Sequence, residues 1–375
     1  MSRPVQALIV GGGPAGASLA IRLAEAGRRV LLLERERGAH DKVCGEFISG
    51  EAAASLANLG VDLTALGAQP IDTVRLARGG KVVQTALPFR ALSLSRRRLD
   101  EALLIRAEHA GAEVRQGCKV KALEQTAGGW RASVEGGGSQ EAQDAFLASG
   151  KHELKGRKRR KGLQNDLIAF KLHWRLSPDQ AAALSGAVEL SLFDGGYAGL
   201  EAIEAGKANL CLVVRQARFA ALGSWPALLA AIRADCALLD RRLTGAGALW
   251  DKPLAIAAIP YGQIARAPSG PWPLGDQAAV IPSFAGDGLA IALHSAALAA
   301  QVYLGGGSAQ DYVRRIGREL GARVIGATWL SQALVRGPGQ AAIMAAAALE
   351  PQLMAAAARL TRIPEGAIRR AAAGV

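Results

Sequence analysis

The feature that most constrains this chain is a short turn near its start. Residues 8–16 read Leu-Ile-Val-Gly-Gly-Gly-Pro-Ala-Gly. An apolar run stops on glycine and passes into helical spacing (Ala17, Leu19, Ala20, Leu23, Ala24) that ends at Gly27. Gly11, Gly13, Gly16, Ala20 and Gly27 fit G-x-G-x-x-G-x3-A-x6-G. Gly11 permits the tight turn, Gly13 lets backbone approach a pyrophosphate, and Gly16 and Ala20 let helix and strand pack closely. Pro14 and Ala15 open the helix, whose N-terminal amides would face the phosphates. A second strand ends at Glu34, followed by Arg35. The Glu34 carboxylate is placed to accept from a ribose and disfavours a 2′-phosphate. Strand, helix, strand and acid together predict a dinucleotide-binding βαβ unit.

Further along, residues 97–109 have helical spacing, and residues 91–95 and 113–117 read as short strands or linkers. Residues 125–143, with a triple-glycine turn, predict antiparallel hairpins, and residues 146–150 a strand returning to the first sheet. Residues 166–176, 188–193 and 209–214 alternate as strands of a second sheet; residues 225–239 and 289–304 read as helices. Residues 261–273 read as a loop rich in proline and glycine, and residues 310–370 as helices broken at Gly337-Pro338-Gly339 and at Pro351. The expected fold is α/β, α+β overall. A Rossmann-type domain (1–70, 91–165 and 255–310) interleaves with an antiparallel-sheet substrate domain (71–90 and 166–254), and a helical segment (311–375) follows.

With 375 residues, half of them hydrophobic, the chain can build a large core. The net charge of +13 points to anionic ligands or surfaces, or to a coding bias. Cys44, Cys118, Cys211 and Cys236 are scattered without a C-x-x-C pair, which argues against a zinc site or a disulfide framework and for a reducing compartment. No metal is expected. No basic-then-apolar leader or membrane span is recognisable, so a cytoplasmic location is expected.

A second glycine-rich stretch, GDQAAVIPSFAGDG from Gly275 to Gly288, decides which dinucleotide. Gly275-Asp276 with Pro282 resembles the G-D-x5-P motif of glutathione-reductase-type flavoproteins, specifically the flavin monooxygenase and geranylgeranyl-reductase-like families. The resemblance implies FAD, with Asp276 on the ribityl chain. Gly286, Asp287, Gly288 and Leu289 open the helix at 289–304, where small residues let backbone amides approach a flat ring; Asp287 is also placed to cap the helix. Lys42-Val43-Cys44-Gly45-Glu46-Phe47 resembles the families' K-x-C-G-E segment, which lies along the flavin. Ser95-Arg96 with Leu99-Asp100 resembles their S-R-x-x-L-D helix start, which implies that Arg96 reaches the cofactor. These roles carry to Lys42, Gly45 and Arg96, with Cys44 as a flavin contact or packing residue. A catalytic role for Cys44 lacks a His or Lys partner assignable from sequence.

The chain also departs from those families. Where flavin hydroxylases carry Asp-Gly, it has Ser149-Gly150, followed by Lys151-His152-Glu153-Leu154-Lys155-Gly156, which resembles a G-K-H-x-L-x-G variant of a bacterial oxidoreductase subgroup. Geranylgeranyl reductases carry Y-x-W-x-F-P; this chain keeps Tyr197 and lacks the Trp and Phe-Pro. It also lacks the W-x-W-x-I-P of flavin halogenases. Residues 151–161 hold seven Lys or Arg against one Glu. They are read as a solvated, mobile loop, with contact to a peripheral membrane, a nicotinamide phosphate or a carrier protein as the functional alternatives. No aromatic residues interleave with these charges, so no nucleic-acid partner is expected. On the strand at 166–176, His173 shares a face with Lys171, opposite Phe170, Leu172 and Trp174. His173 reads as a partly exposed sheet residue or a cavity acid/base, and Tyr197, beside two glycines, as a cavity phenol.

The leading expectation is a single-component FAD monooxygenase. NAD(P)H would reduce the flavin, and oxygen would pass to an aromatic or polyketide-derived small molecule in tailoring biosynthesis. The alternatives are a reductase or dehydrogenase of an isoprenoid-like lipid and a non-redox FAD-binding protein.

Overall fold

The computed structural model describes residues 5–266 and 270–372. Two sheets organise the chain. In the first, Val5–Val10 pairs in parallel with Val30–Leu33 on one side and Ser139–Leu147 on the other, and Val30–Leu33 continues to Glu113–Arg115. Every residue from Ala7 to Val10 and from Val30 to Leu33 is buried, as continuous apolar runs in a parallel sheet require. Ser139–Leu147 is at once the last strand of the hairpins Val120–Thr126 and Gly129–Val134 and the strand that returns beside Val5–Val10. The return therefore starts earlier than expected and ends at Leu147, before the Ala148-Ser149-Gly150 segment.

The second sheet is larger. Leu167–Arg175, Lys207–Arg215, Gly196–Ile203 and Gly186–Phe193 are antiparallel neighbours in that order; Gly186–Phe193 then pairs in parallel with Gln69–Arg78, which turns into Lys81–Ser93. Phe47–Ile48 adds to Lys81–Ser93, so the segment leaving the dinucleotide unit is stitched into the second sheet. One face packs Phe170, Leu172 and Trp174 against Trp225–Asp235 and Ala237–Leu243. The expected single helix at 225–239 is two helices, because Cys236 (φ −138°) leaves helical geometry and the Ala237 N–H turns to the carbonyl of Gly79. The opposite face carries Tyr197, Leu192 and Val213 toward Phe284 and the C-terminal helices.

Pro14–Glu25 and Gly288–Leu304 pack together as the central helices of the first layer. Ala309–Leu334, Gly337–Leu349, Gln352–Thr361 and Glu365–Ala372 close the chain. Residues 267–269 of the expected loop at 261–273 lie outside the described residues. Among the described residues, no single helix is long and apolar enough to cross a membrane; Gly337–Leu349 and Gln352–Ile368 reach that length and composition only as a pair bent by 118°.

Candidate functional site

The two glycine-rich stretches meet. Gly275 has φ +57°, and a Cβ there would lie 3.1 Å from Cβ of Ala15. Its N–H donates to Ser295 Oγ at 2.9 Å, tying the turn to the helix behind it. Within the first turn, side chains on Gly11 or Gly16 would collide with the carbonyl oxygens of Ala148 and Gly11 respectively. Gly13 is different: its Cβ direction opens toward Arg96 Nη2 (3.5 Å) and Lys42 Nζ (4.0 Å). Both cations are held by one buried carboxylate. Arg96 Nε and Nη2 donate to Asp100 at 2.7 and 2.9 Å, and Lys42 Nζ at 2.9 Å. Although burial opposes ionisation, Arg96 and Lys42 hold the Asp100 carboxyl below its ordinary value, and the Asp100 charge raises Arg96. Two cations on one anion leave a positive rim beside the helix start, suited to a pyrophosphate.

The Glu34 carboxylate accepts from the Gly12 N–H at 2.6 Å and from the Glu36 N–H at 3.0 Å. It thereby pins the turn, and each oxygen keeps a second lone pair for a sugar hydroxyl. Arg35 lies alongside, bonded to Glu36 and His152. Among the described residues, no hydrogen-bond donor reaches the Asp276 carboxylate; only its carbonyl is engaged, by Arg159 Nη1 at 2.8 Å.

A second junction lies where Lys42–Phe47 meets Gly286–Leu289; with the Gly13 turn it bounds the candidate cofactor groove. Gly286 (φ +66°) lies against the Phe47 ring. A Cβ on Gly45 or Gly288 meets nothing within 4 Å, so backbone there faces open space. Asp287 makes no side-chain cap; it is buried and pairs with Arg362 at 3.1 Å, an arginine from beyond the C-terminal helix Gln352–Thr361. Burial raises the Asp287 carboxyl to about 6, with Arg362 opposing. Leu289 is half-buried in the first turn of the helix.

The residues of the second sheet are more deeply engaged than expected. His173 is 2% exposed, and its Nε2 lies 2.8 Å from Glu46 Oε2. Lys171, fully buried, donates to Glu46 Oε1, which also accepts from the Arg96 N–H at 2.8 Å. Glu46 has φ +59°, a strained conformation for a residue with a side chain. These bonds hold it there, and despite burial Lys171 and His173 keep its carboxyl below the usual range. His173 is therefore not a partly exposed residue: the 42–47 segment covers its face of the sheet. Asp41 joins the cluster, 3.9 Å from His173 Nδ1 and 4.0 Å from Lys171 Nζ. Asp41, Glu46 and His173 have the spacing of a metal site, but the Lys171 ammonium already supplies the cation among them.

Cys44 is half-buried; its thiol accepts from the Glu46 N–H at 3.4 Å and faces the Arg96 guanidinium, a partner the sequence did not offer. Its carbonyl accepts from Asn209 Nδ2 at 3.2 Å. The Tyr197 phenol is buried edge-on against Phe284, accepting from the Phe284 N–H at 3.4 Å. In the basic stretch, three side chains turn inward: Lys151 to the Val43 carbonyl, Arg157 to the Leu123 carbonyl over Trp130, and Arg159 to Glu153 and Asp276. The loop is thus anchored along the groove, with Lys155, Lys158, Arg160 and Lys161 exposed. Glu46, Lys171, Glu201, Asn209, Ser295 and Arg362 had no assigned role from sequence. Glu46 stood inside a recognised motif, and Lys171 two residues from His173; the other four depend on tertiary register.

Comparison with known proteins agrees with this geometry. A family model described as an FAD binding domain matches residues 4–146. Squalene epoxidase 4 of Arabidopsis thaliana is 38% identical over 84 residues, 22% of this chain and 16% of that protein. Menaquinone reductase of Mycobacterium tuberculosis is 32% identical over 126 residues, 31% of this chain and 30% of that protein. The matches thus span less than a third of these curated relatives. Among solved structures, halogenase PltM superposes with a TM-score of 0.78 at 15% identity, covering 99% of this chain and 86% of that one. The myxobacterial chondrochloren halogenase CndH gives 0.76 at 19% identity, covering 99% and 96%. At such identities these likenesses establish the fold. The open backbone at Gly13, Gly45 and Gly288, the cationic rim and the Asp276 carboxylate fit FAD, and FAD is the cofactor that this domain binds.

Proposed function

We propose that this chain, a flavoprotein matched over residues 4–146 by an FAD binding domain, is an FAD-dependent oxidoreductase of the glutathione-reductase-type group. In this reading it is a single-component monooxygenase using NAD(P)H and O₂ on an apolar, aromatic or polyketide-derived molecule in tailoring biosynthesis. The observation that carries the proposal is the junction of the 42–47 segment with the second sheet. Backbone at Gly45 is open and in this reading meets the flavin, while the Tyr197–Phe284 wall lies on the sheet side. Bound FAD supplies the redox chemistry. The chain's own residues hold the phosphates (Lys42, Arg96), orient the sugar and ribityl chain (Glu34, Asp276), and keep water from the apolar face. The four free thiols suit a reducing, cytoplasmic setting.

A second reading, reduction of a double bond in an isoprenoid-like lipid, draws on the matched segments of the menaquinone reductases and on Cys44 beside Arg96. The exposed lysines and arginines of 151–161 would then meet anionic lipid or a carrier protein. Halogenation gains only a fold from its neighbours, since the chain lacks the expected tryptophan motif.

The test is anaerobic addition of NADPH or NADH to the purified holoprotein, followed by oxygen with candidate aromatic substrates. Bleaching of the flavin bands, then oxygen-dependent gain of one oxygen atom by a substrate, is the expected result. Oxygen-independent gain of two hydrogens would establish the second reading. A flavin that neither nucleotide bleaches would leave a non-redox FAD-binding protein.

A further inference from the structure

Two interior strands of the second sheet carry residues that are not fully covered. Leu190 and Gly199 face each other across Gly186–Phe193 and Gly196–Ile203, and both are half-buried, although strands flank them on either side. Above them Val43, Cys44 and Phe284 are half-buried too. This partly covered stretch of the sheet face, beside the 42–47 segment, is taken as a chamber. A Cβ on Gly199 would meet nothing closer than 3.7 Å.

The chamber has two ends. Tyr197, Gly199 and Glu201 alternate onto one face, opposite Val213, Cys211 and Asn209 of the next strand. The Tyr197 end is apolar, with Leu192, Val213 and Phe284. The Glu201 end is polar and its bonding is incomplete. Glu201 is 2% exposed, and its Oε1 accepts from Asn209 Nδ2 at 2.7 Å. Among the described residues no hydrogen-bond partner reaches Glu201 Oε2, which lies 3.9 Å from the position of a Gly199 Cβ, directly beside the open space. Asn209 is fully buried and its Oδ1 has no partner. Buried polar atoms are ordinarily paired, so this end is shaped for something that brings polar atoms of its own.

We infer that Glu201 is the residue that hydrogen-bonds the substrate, and that the substrate is an apolar molecule carrying one carbonyl or phenolic oxygen at the end that meets Glu201. Burial pushes the Glu201 carboxyl well above its ordinary range, with Asn209 opposing only in part. Glu46, hydrogen-bonded to both Lys171 and His173, is held below its ordinary value nearby. Burial thus favours the protonated form of Glu201. With Oε1 accepting from Asn209, a proton on Oε2 would point a donor at the chamber. Gly199 makes the room: any side chain there would stand between Glu201 and the apolar end. The inference rests on the proposed reading that the substrate occupies the space beside residues 42–47.

The experiment uses the FAD-loaded full chain and two probes that share an apolar body, 2-methyl-1,4-naphthoquinone and 2-methylnaphthalene, with binding measured by equilibrium dialysis. The native chain should prefer the quinone by about tenfold, the scale of one net hydrogen bond. Glu201→Ala should abolish that preference. Glu201→Gln, isosteric and with an N–H in place of the O–H, should restore most of it. FAD content and unfolding midpoint identify a variant that has lost its fold, and the Gln variant then carries the comparison. Equal binding of the two probes by the native chain, or an unchanged preference in both variants, would overturn the inference. Flavin bleaching by NADPH or NADH is recorded without oxygen on probe-free portions of the same preparations, since the quinone would itself reoxidise a reduced flavin. Bleaching without probe preference overturns the role of Glu201 alone; preference without bleaching overturns the redox reading and leaves the binding role of Glu201 standing.

Discussion

The Cβ that Gly286 lacks would stand 2.7 Å from Cδ1 of Phe47, so the turn opening the helix Gly288–Leu304 and the 42–47 segment touch where a side chain has no room. Gly286 also has φ +66°. Gly286→Ala combines left-handed strain of about 1 kcal/mol with a displaced Phe47 ring. It should weaken FAD binding by about tenfold and lower the unfolding free energy by about 1–2 kcal/mol. Adding Phe47→Leu should recover part of both losses. Flavin fluorescence titration and urea unfolding of the four proteins in the cycle check this.

The Lys171–Glu46 pair is fully buried. Lys171→Met leaves a buried carboxylate with His173 and one backbone N–H, and should cost about 3–5 kcal/mol. The Lys171→Met/Glu46→Gln double variant should be less destabilised than Lys171→Met alone, because no lone charge remains. The Glu46 carboxyl is held below its unfolded value, so its contribution is present at neutral pH and is lost as pH falls through the folded pKa. Glu46→Gln should remove that part of the acid-induced loss of stability, as urea midpoints across the acid range will show.

Asp287 has the opposite sign. Its carboxyl titrates at about 6 in the folded chain against an ordinary value of 3.8. Between those values the folded state binds more protons than the unfolded one. Its contribution to stability therefore declines as pH rises through that window, by on the order of 3 kcal/mol at most, and is flat above it. Asp287→Asn should abolish this decline, whatever it does to stability at one pH through the loss of Arg362's partner. Urea unfolding at several pH values from about 4 to about 7 measures the slope.

Arg96 and Lys42 share Asp100 beside Gly13. Arg96→Ala should raise the FAD dissociation constant by about 10–100-fold, the scale of a charge-assisted contact to phosphate, and should shrink its dependence on salt. Titrations at low and high salt separate this from a loss of fold, which would leave the salt dependence unaltered in those molecules that still bind.

Much of the junction of the glycine-rich turns was legible because its signals are local. Gly11, Gly13 and Gly16 are read from one turn, and Gly275 and Gly286 from another; their meeting at Ala15 and Phe47 follows from packing that only small residues permit. The polar end of the chamber was not legible. His173, Asn209 and Glu201 come together only because strand register sets His173 opposite Asn209 and Asn209 opposite Glu201, and a shift of one residue in any of the three strands would put its member on the other face. Arg362 was hidden for a similar reason. It follows an Ala-rich helix whose pattern shows no partner, and only the path of the C-terminal helices brings it back to Asp287. The alternation around His173 identified its face correctly but not what covers it.

The most direct test of the account is an FAD titration of the cofactor-free chain beside its Asp276→Ala variant. Among the described residues no donor in the chain reaches the Asp276 carboxylate, so its removal should leave stability without FAD within about 0.5 kcal/mol. The account predicts that the native chain saturates at one FAD per chain and that the variant binds about tenfold more weakly. A native chain that takes up no FAD, or a variant that binds it with native affinity, would contradict a cofactor held at both ends.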